Sequence, residues 1–279
     1  MKVFYNGKFE ELENVKISPF DRGFLYADGV YEVIRTYNGK FFRLDDHLER
    51  LIYSLNEIRI NYNDINLIEN ILYQLVDRNN YTSEVSAYIQ ITRGSSFPRR
   101  HSFPEQNIKP TVFISVNTLV ENRVENESGV KVILEKDIRW QRCDIKSVAL
   151  LPNVLANQHA KEELSAEAVW VKDGYLLEGS HTNFFGIKDK KMWTAPLSNS
   201  ILSGVTRKVI LELCNLIKIP YSEQSIKEKD IKSFDEFFIS GTTTEIKPVI
   251  QIDKFKISNG KPGKITKNLQ AAFYDLIKK

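Results

Sequence analysis

Residues 31–51 read "YEVIRTYNGKFFRLDDHLERL", and the order of signals in this stretch decides the fold. Asn38-Gly39 stands between two alternating runs, and that dipeptide tolerates the positive φ angles of a two-residue hairpin turn. The period then lengthens: Leu48, Leu51, Ile52 and Leu55 recur at helical spacing, with Asp45 as the expected N-cap. Strands feeding an amphipathic helix describe an α+β lobe.

The same devices recur on both sides. "VFYNGKFEEL" (3–12) carries a second hairpin signal at Asn6-Gly7, and "DINLIENILYQLVDRNN" (64–80) reads as a second amphipathic helix capped by Asp64. "SAYIQITRG" (86–94) and "TVFISVNTL" (111–119) are rich in β-branched and aromatic residues and read as strands. The polar run "VENRVENESG" (120–129) then reads as a linker. The expected organisation is an N-terminal domain over 1–119, a linker over 120–129 and a C-terminal domain over 130–279. In the latter, "AVWVKDGYLLEGSHTNFFGIKDKKMWTA" (168–195) reads as a β meander turning at Asp173-Gly174. Helices are expected in "LPNVLANQHAKEEL" (151–164), "SGVTRKVILELCNLI" (203–217) and "TKNLQAAFYDLIKK" (266–279). The fold class is α+β, with two lobes and the longer antiparallel sheet in the second.

Composition narrows the function classes. Apolar residues at 42% and charged residues at 27% are ordinary for a globular chain with a filled core. A net charge of +3 with interspersed signs argues against nucleic acid or an anionic membrane as partner. Cys143 and Cys214 build no disulfide framework, and the four histidines lack metal-ligand spacing, so no metal is expected. "MKVFYNGKFEEL" does not read as a signal peptide and no apolar run reaches membrane-spanning length, so a cytoplasmic location is expected.

"DIRWQRCDIKSVALLPN" (137–153) places Lys146 beside Ile145 and a run that reads as core. A lysine at a strand edge normally extends its ammonium to solvent. Desolvation and the nearby Arg139 and Arg142 would instead favour the neutral amine, the nucleophile that Schiff-base chemistry needs. Arg142 and Asp144 share the side of Lys146 on an extended chain. Arg139 has the opposite parity, so a bend is expected between Arg139 and Lys146.

Three stretches suit an anion. Gly204-Val205-Thr206 begins a helix, whose free amides and dipole favour phosphate, although any single helix start is more often just a cap. "SGTTTE" (240–245) concentrates hydroxyls at a strand end, and Arg50 lies off the apolar stripe of its helix, as a solvated arginine or a phosphate clamp. In "LEGSHTNFFG" (177–186), Glu178 closes a meander strand, where it is either an exposed carboxylate or one aimed at a cationic ring nitrogen.

In order along the chain, "DRGFLYADGVYEVIRTYNGKFFRLDDHLERL", "RWQRCDIKSVALLPNVLANQHA", "EGSHTNFFGI", "ILSGVTR" and "SGTTTEIKPV" resemble the fold-type IV pyridoxal phosphate enzymes. That family includes branched-chain aminotransferases, D-amino acid aminotransferases and aminodeoxychorismate lyase. The resemblance spans nearly the whole chain. It implies a two-domain fold, a smaller N-terminal lobe and a larger C-terminal lobe built on an antiparallel sheet or barrel, and pyridoxal 5'-phosphate as cofactor. It assigns Lys146 the Schiff base and the proton transfers, and Glu178 the pyridine nitrogen. Arg50, Val205, Thr206 and Thr242 are assigned the phosphate, Leu202 the ring face, and Arg139 a place near the phenolic oxygen or the lysine. The loop "RGSSFPRRHSFP" (93–104) is similar to that of the D-amino acid subgroup, in which an Arg-x-His pair and a tyrosine bind the substrate carboxylate. Arg99, His101 and Tyr31 match it, and Arg100 is either the alternative to Arg99 in this carboxylate trap or a basic surface residue. The expected reaction moves the amino group of a D-amino acid to a 2-oxo acid in a homodimer. Alternatives are a branched-chain L-aminotransferase, aminodeoxychorismate lyase and a non-catalytic pyridoxal phosphate carrier.

Overall fold

The computed structural model describes residues 1–105, 108–119 and 123–278. The chain forms two compact units, Met1–Val120 with Ile145–Ala149, and Glu121–Asp144 with Leu150–Lys279. Of the expected linker, 120–122 lie outside the described residues, and a short helix follows them.

The first unit contains β1 (Lys2–Tyr5), β2 (Lys8–Glu11), α1 (Arg22–Tyr26), β3 (Gly29–Tyr37), β4 (Lys40–Phe41), α2 (Leu44–Glu57), α3 (Ile68–Arg78), β5 (Val85–Thr92) and β6 (Thr111–Thr118). Its sheet runs β2-β1-β6-β5-β3-β4 with every pairing antiparallel. Both expected hairpin turns form, with Asn6 at φ 45°, Gly7 at 90°, Asn38 at 52° and Gly39 at 72°. Leu51 and Leu55 of α2 and Ile68, Leu72 and Leu75 of α3 pack with Ile34, Ala87, Ile89 and Ile114 of the sheet. Each such large side chain taken from water contributes about 1.5–3 kcal/mol.

Two helix starts differ from expectation. The chain enters α2 through Arg43 in the left-handed region, and Asp45 lies inside the first turn, where it meets the helix dipole but does not cap. Asp64 likewise sits in the first turn of a 3-10 segment (Asp64–Leu67) that leads into α3.

The second unit contains α4 (Arg123–Ser128), β7 (Val130–Lys136), α5 (Leu151–Glu162), β8 (Glu167–Lys172), β9 (Tyr175–Gly179), β10 (Asn183–Lys188) and β11 (Lys191–Thr194). It continues with α6 (Val205–Leu216), β12 (Tyr221–Glu223), β13 (Ile226–Lys227), β14 (Glu236–Gly241), β15 (Glu245–Ile252), β16 (Phe255–Lys256) and α7 (Lys264–Ile277). Strands β10, β14, β15, β7, β8 and β9 pair in sequence, and β9 returns to β10 through Glu178 and Asn183, closing a six-stranded barrel. The barrel is mainly antiparallel. The β15–β7 and β7–β8 seams are parallel, and α5 supplies the long crossover that the second of these requires. Val132, Val169, Leu176, Phe184, Phe237, Ile239 and Val249 belong to its core cluster. Among the described residues no helix is long and apolar enough to cross a membrane.

Candidate active site

Lys146 lies in the first unit, because its segment hydrogen-bonds along the start of β3. Tyr31 N–H donates to the Lys146 carbonyl at 3.0 Å, Val148 N–H to the Gly29 carbonyl at 3.1 Å, and Lys146 N–H to Ser54 Oγ at 3.1 Å. Ile145 and Ser147 are buried, but Lys146 between them is only half-buried, so the expectation of a lysine driven into the core is corrected. Its ammonium stands 4.2 Å from the centroid of the Tyr31 ring, within cation–π range. Among the described residues it has neither an ion pair nor a hydrogen bond. The bend expected between Arg139 and Lys146 is present: residues 137–146 form no strand, and a turn at Cys143-Asp144 separates the two. Within it, Arg142 pairs with Asp144 at 2.9 Å.

Arg50 is not a solvated arginine. Its Nε donates to Glu32 Oε1 at 2.7 Å and its Nη2 to Glu32 Oε2 at 2.9 Å. His47, one turn earlier, brings Nδ1 to within 2.9 Å of the same Oε2. Glu32 is completely buried. Burial pushes its carboxyl up, but the charge and hydrogen bonds of Arg50, helped by His47, outweigh this and hold it far below the usual carboxylate range. Burial lowers His47 below its ordinary value despite the Glu32 contact, favouring the neutral ring. Glu32 and His47 were missed in the sequence. The signal was parity, since Val30, Glu32 and Ile34 share the inward face of β3, where a lone glutamate needs a cationic partner.

Tyr31 faces the other way, against Tyr88 with ring centroids 5.8 Å apart. Arg99 and His101 are exposed and lie elsewhere in this unit, on the Tyr26 ring. The Arg99 guanidinium is 4.6 Å and the His101 ring 5.3 Å from its centroid. The two members of the Arg-x-His pair therefore share one platform, while Tyr31 packs with Lys146.

In the second unit Glu178 is buried at the end of β9. Its Oε1 accepts from Arg139 Nη1 at 2.6 Å, and its Oε2 from Leu202 N–H at 3.0 Å and Asn183 Nδ2 at 3.3 Å. Arg139 is gripped by Asp137 (Nε–Oδ1 3.0 Å, Nη2–Oδ2 2.9 Å) and donates to the Ser200 carbonyl at 3.0 Å. Its guanidinium is therefore placed by Glu178 and Asp137. Burial disfavours the charge on Arg139, but the two carboxylates overcome it and raise its affinity for the proton.

Asn183 stands opposite Glu178 on one side and Ser240 on the other, so the three side chains form a row on one face of β9, β10 and β14. Asn183 also donates to the Leu202 carbonyl at 3.0 Å, tying the segment before α6 to this row. Ser240 Oγ is buried with no hydrogen-bond partner among the described residues. Helix α6 starts at Val205 and Thr206, both buried, with Gly204 at the cap and, among the described residues, no side chain capping the free amides. Thr242 is half-buried in the turn between β14 and β15. Asn183 escaped sequence reasoning, and Ser240 entered it only as the first hydroxyl of "SGTTTE", since their alignment with Glu178 arises only from cross-strand register.

Each unit by itself holds groups that suit pyridoxal phosphate. In the first, a lysine amine without an ion pair among the described residues suits an aldehyde and a fixed arginine suits a phosphate; in the second, helix-start amides suit a phosphate and a firmly held carboxylate suits a pyridinium nitrogen. The orphaned Ser240 hydroxyl is the feature that a bound group would explain.

Comparisons with known proteins agree. The model of the Amino-transferase class IV family matches residues 29–252. A D-alanine aminotransferase of Staphylococcus epidermidis is 41% identical over 274 residues, covering 98% of this chain and 96% of its own. A branched-chain amino acid aminotransferase from Escherichia coli superposes with a TM-score of 0.88 at 26% identity, over 99% of this chain and 94% of that one. A branched-chain amino acid aminotransferase from Thermoproteus uzoniensis, solved with norvaline, superposes with a TM-score of 0.87 at 25% identity, over 99% and 94%. On the family match and the full-length similarity, the chain belongs to the class IV aminotransferases.

Proposed function

We propose that the chain is a pyridoxal 5'-phosphate-dependent transaminase that moves the amino group of a D-amino acid, of the D-alanine or D-glutamate type, to a 2-oxo acid such as 2-oxoglutarate or pyruvate. The observation that carries this reading is the Lys146 ammonium, fixed through its backbone at the start of β3, set on the Tyr31 ring and free of any ion pair among the described residues. The full-length similarity to D-alanine aminotransferases supports the D-specific subgroup.

When bound, the cofactor supplies an electron sink for the charge that develops at the substrate α-carbon. Lys146 Nζ would hold the cofactor's carbonyl carbon until the substrate amine displaces it, and the freed amine would then take up and return the proton at the substrate α-carbon. Glu178 keeps the pyridine nitrogen protonated, its geometry set by Arg139, Leu202 N–H and Asn183. Arg50, the amides of Val205 and Thr206, and Thr242 hold the phosphate, and Leu202 supports the ring face. Tyr31, Arg99 and His101 take the substrate carboxylate.

The finer reading is a homodimer in the cytoplasm. The resemblance lets the Arg-x-His loop of one copy serve the other, in keeping with the separate packing of Tyr31 and of Arg99 and His101. Leu151, Val154 and Leu155 leave an apolar stripe exposed on α5, which suits a subunit contact. Light scattering at micromolar concentration tests the dimer, and a single-chain mass refutes it.

For the reaction, the protein is incubated with 2-oxoglutarate and either D-alanine or L-leucine. Turnover with D-alanine and bleaching of the bound cofactor's yellow absorbance are expected. Activity with the L-acid alone refutes the subgroup, and a yellow protein unresponsive to both supports a carrier.

A further inference from the structure

Arg22 is almost fully buried at the start of α1, outside every role assigned above. Its guanidinium gathers three consecutive carbonyls of the Arg-x-His loop. Nη1 donates to the Arg100 carbonyl at 2.7 Å and the Ser102 carbonyl at 3.3 Å, and Nη2 to the His101 carbonyl at 3.2 Å. Among the described residues the backbone of Arg99–Phe103 makes no other hydrogen bond, so this one side chain supplies all the backbone hydrogen bonding of that stretch. A guanidinium with five donors in a planar fork can bind three carbonyls at once, whereas an ammonium cannot reproduce that geometry.

Arg22 is itself held. Its Nε donates to Asp28 Oδ2 at 2.8 Å, and Asp28 is gripped from the other side by Arg93 at 2.7 and 2.9 Å. Burial pushes the Asp28 carboxyl up, but the hydrogen bonds from Arg93 and Arg22 prevail and keep it below the usual carboxylate range. Arg93 also stands 3.7 Å from the Phe103 ring centroid, anchoring the far end of the loop. The helix that presents Arg22 is pinned by Asp21, which accepts from Gly23 N–H, Thr92 Oγ1 and Thr111 Oγ1 at 2.8, 3.0 and 2.6 Å. With its carbonyls drawn inward at 100–102, the loop turns Arg99 and His101 onto the Tyr26 ring, which also lies under Arg22 at 4.8 Å.

We propose that Arg22 is a positioning residue for substrate recognition, which sets Arg99 and His101 at the spacing that a substrate carboxylate requires. The inference rests on the reading of Arg99 and His101 as the carboxylate site. It distinguishes two kinds of substrate: amino acids depend on Arg22, and amines without a carboxylate do not.

The test is the first half-reaction of the cofactor-loaded enzyme, followed by loss of cofactor absorbance with D-alanine and, separately, with 1-phenylethylamine, which has no carboxylate. Arg22→Lys keeps the charge beside Asp28 but loses the fork. Its apparent Kd for D-alanine is expected to rise by about tenfold or more, with the limiting rate and the amine reaction within about threefold of wild type. An unchanged Kd overturns the proposal, as does an equal loss with both substrates, which would mark a merely structural role. If Arg22→Lys does not fold, Asp28→Asn, which releases Nε of Arg22, is measured against the same criteria. The double variant Arg99→Ala/His101→Ala separates the two levels of inference. If it raises the Kd and the Arg22 variant does not, only the positioning role fails. If it leaves the Kd unchanged, the carboxylate site itself is misplaced and the proposal falls with it.

Discussion

Arg139 Nη1 lies 2.6 Å from Glu178 Oε1, and both side chains are almost entirely withdrawn from solvent. The pair is one edge of a network that reaches Asp137, the Ser200 carbonyl and, through Glu178, Leu202 N–H and Asn183. The carboxylate is thereby oriented before any cofactor arrives. Removing one member leaves a buried charge without compensation, the costly way to break such a pair. Arg139→Met is expected to lower stability by about 3–5 kcal/mol, read from urea denaturation. The double variant Arg139→Met/Glu178→Gln is expected to recover part of that loss, and a double variant no more stable than the single one would contradict the account.

Gly204 tests the link between this network and helix α6. A Cβ built there falls 1.9 Å from Asn183 Oδ1. Gly204→Ala must therefore displace the Asn183 amide, which donates to the Leu202 carbonyl and to Glu178. A loss of about 1–3 kcal/mol in thermal unfolding is expected, together with weaker cofactor binding in an absorbance titration. Wild-type values for both would show that the strand row and the helix start are independent.

Lys146→Ala removes a half-buried ammonium that has no ion pair among the described residues, so the fold should change by no more than about 0.5 kcal/mol. Transamination should fall by at least about 10²–10⁴-fold, the contribution of a positioned base together with that of a covalent anchor. Single-turnover rates with D-alanine measure the loss, and substantial turnover would place the reactive amine elsewhere.

The buried titrating groups set a pH dependence of stability. The folded-state pKa of His47 is depressed, so the unfolded chain binds its proton more readily, and stability is lost as pH falls below about 6.5. Glu32, Glu167 and Asp28 also have depressed folded-state values. Their contribution is complete above about pH 4.5 and disappears as pH falls further. Solvent-exposed His159 is raised by its hydrogen bond to Glu135 and acts in the opposite sense, weakened by screening. The melting temperature is therefore expected to decline from about pH 7 towards about pH 4, with Glu32→Gln flattening the acid end. A flat profile would contradict this.

Tyr26 carries a buried hydroxyl with no hydrogen-bond partner among the described residues. Tyr26→Phe keeps the ring under Arg22, Arg99 and His101 and removes the unsatisfied group. Stability should be unchanged or higher by up to about 1 kcal/mol, with the KM for D-alanine preserved. A loss of stability would reveal a partner for that hydroxyl.

Sequence by itself determined the features whose physics is local. The turns at Asn6-Gly7, Asn38-Gly39 and Asp173-Gly174 form where the residues accept positive φ, and the apolar stripe of α2 buries Leu51 and Leu55 as its period requires. The ordered motifs likewise carried the family and its cofactor, because residues of those types in that order rarely occur without the chemistry they serve. Tertiary structure alone decided the pairings. Arg50 meets Glu32 across 18 positions, Arg139 meets Glu178 across 39, and Arg22 meets the 100–102 carbonyls across about 80. Such contacts are set by strand register and helix docking, which no local spacing encodes. For the same reason the segment Ile145–Ala149 that carries Lys146 belongs to the first unit although the chain on either side of it belongs to the second: the backbone hydrogen bonds of Lys146 run to Tyr31 and Ser54.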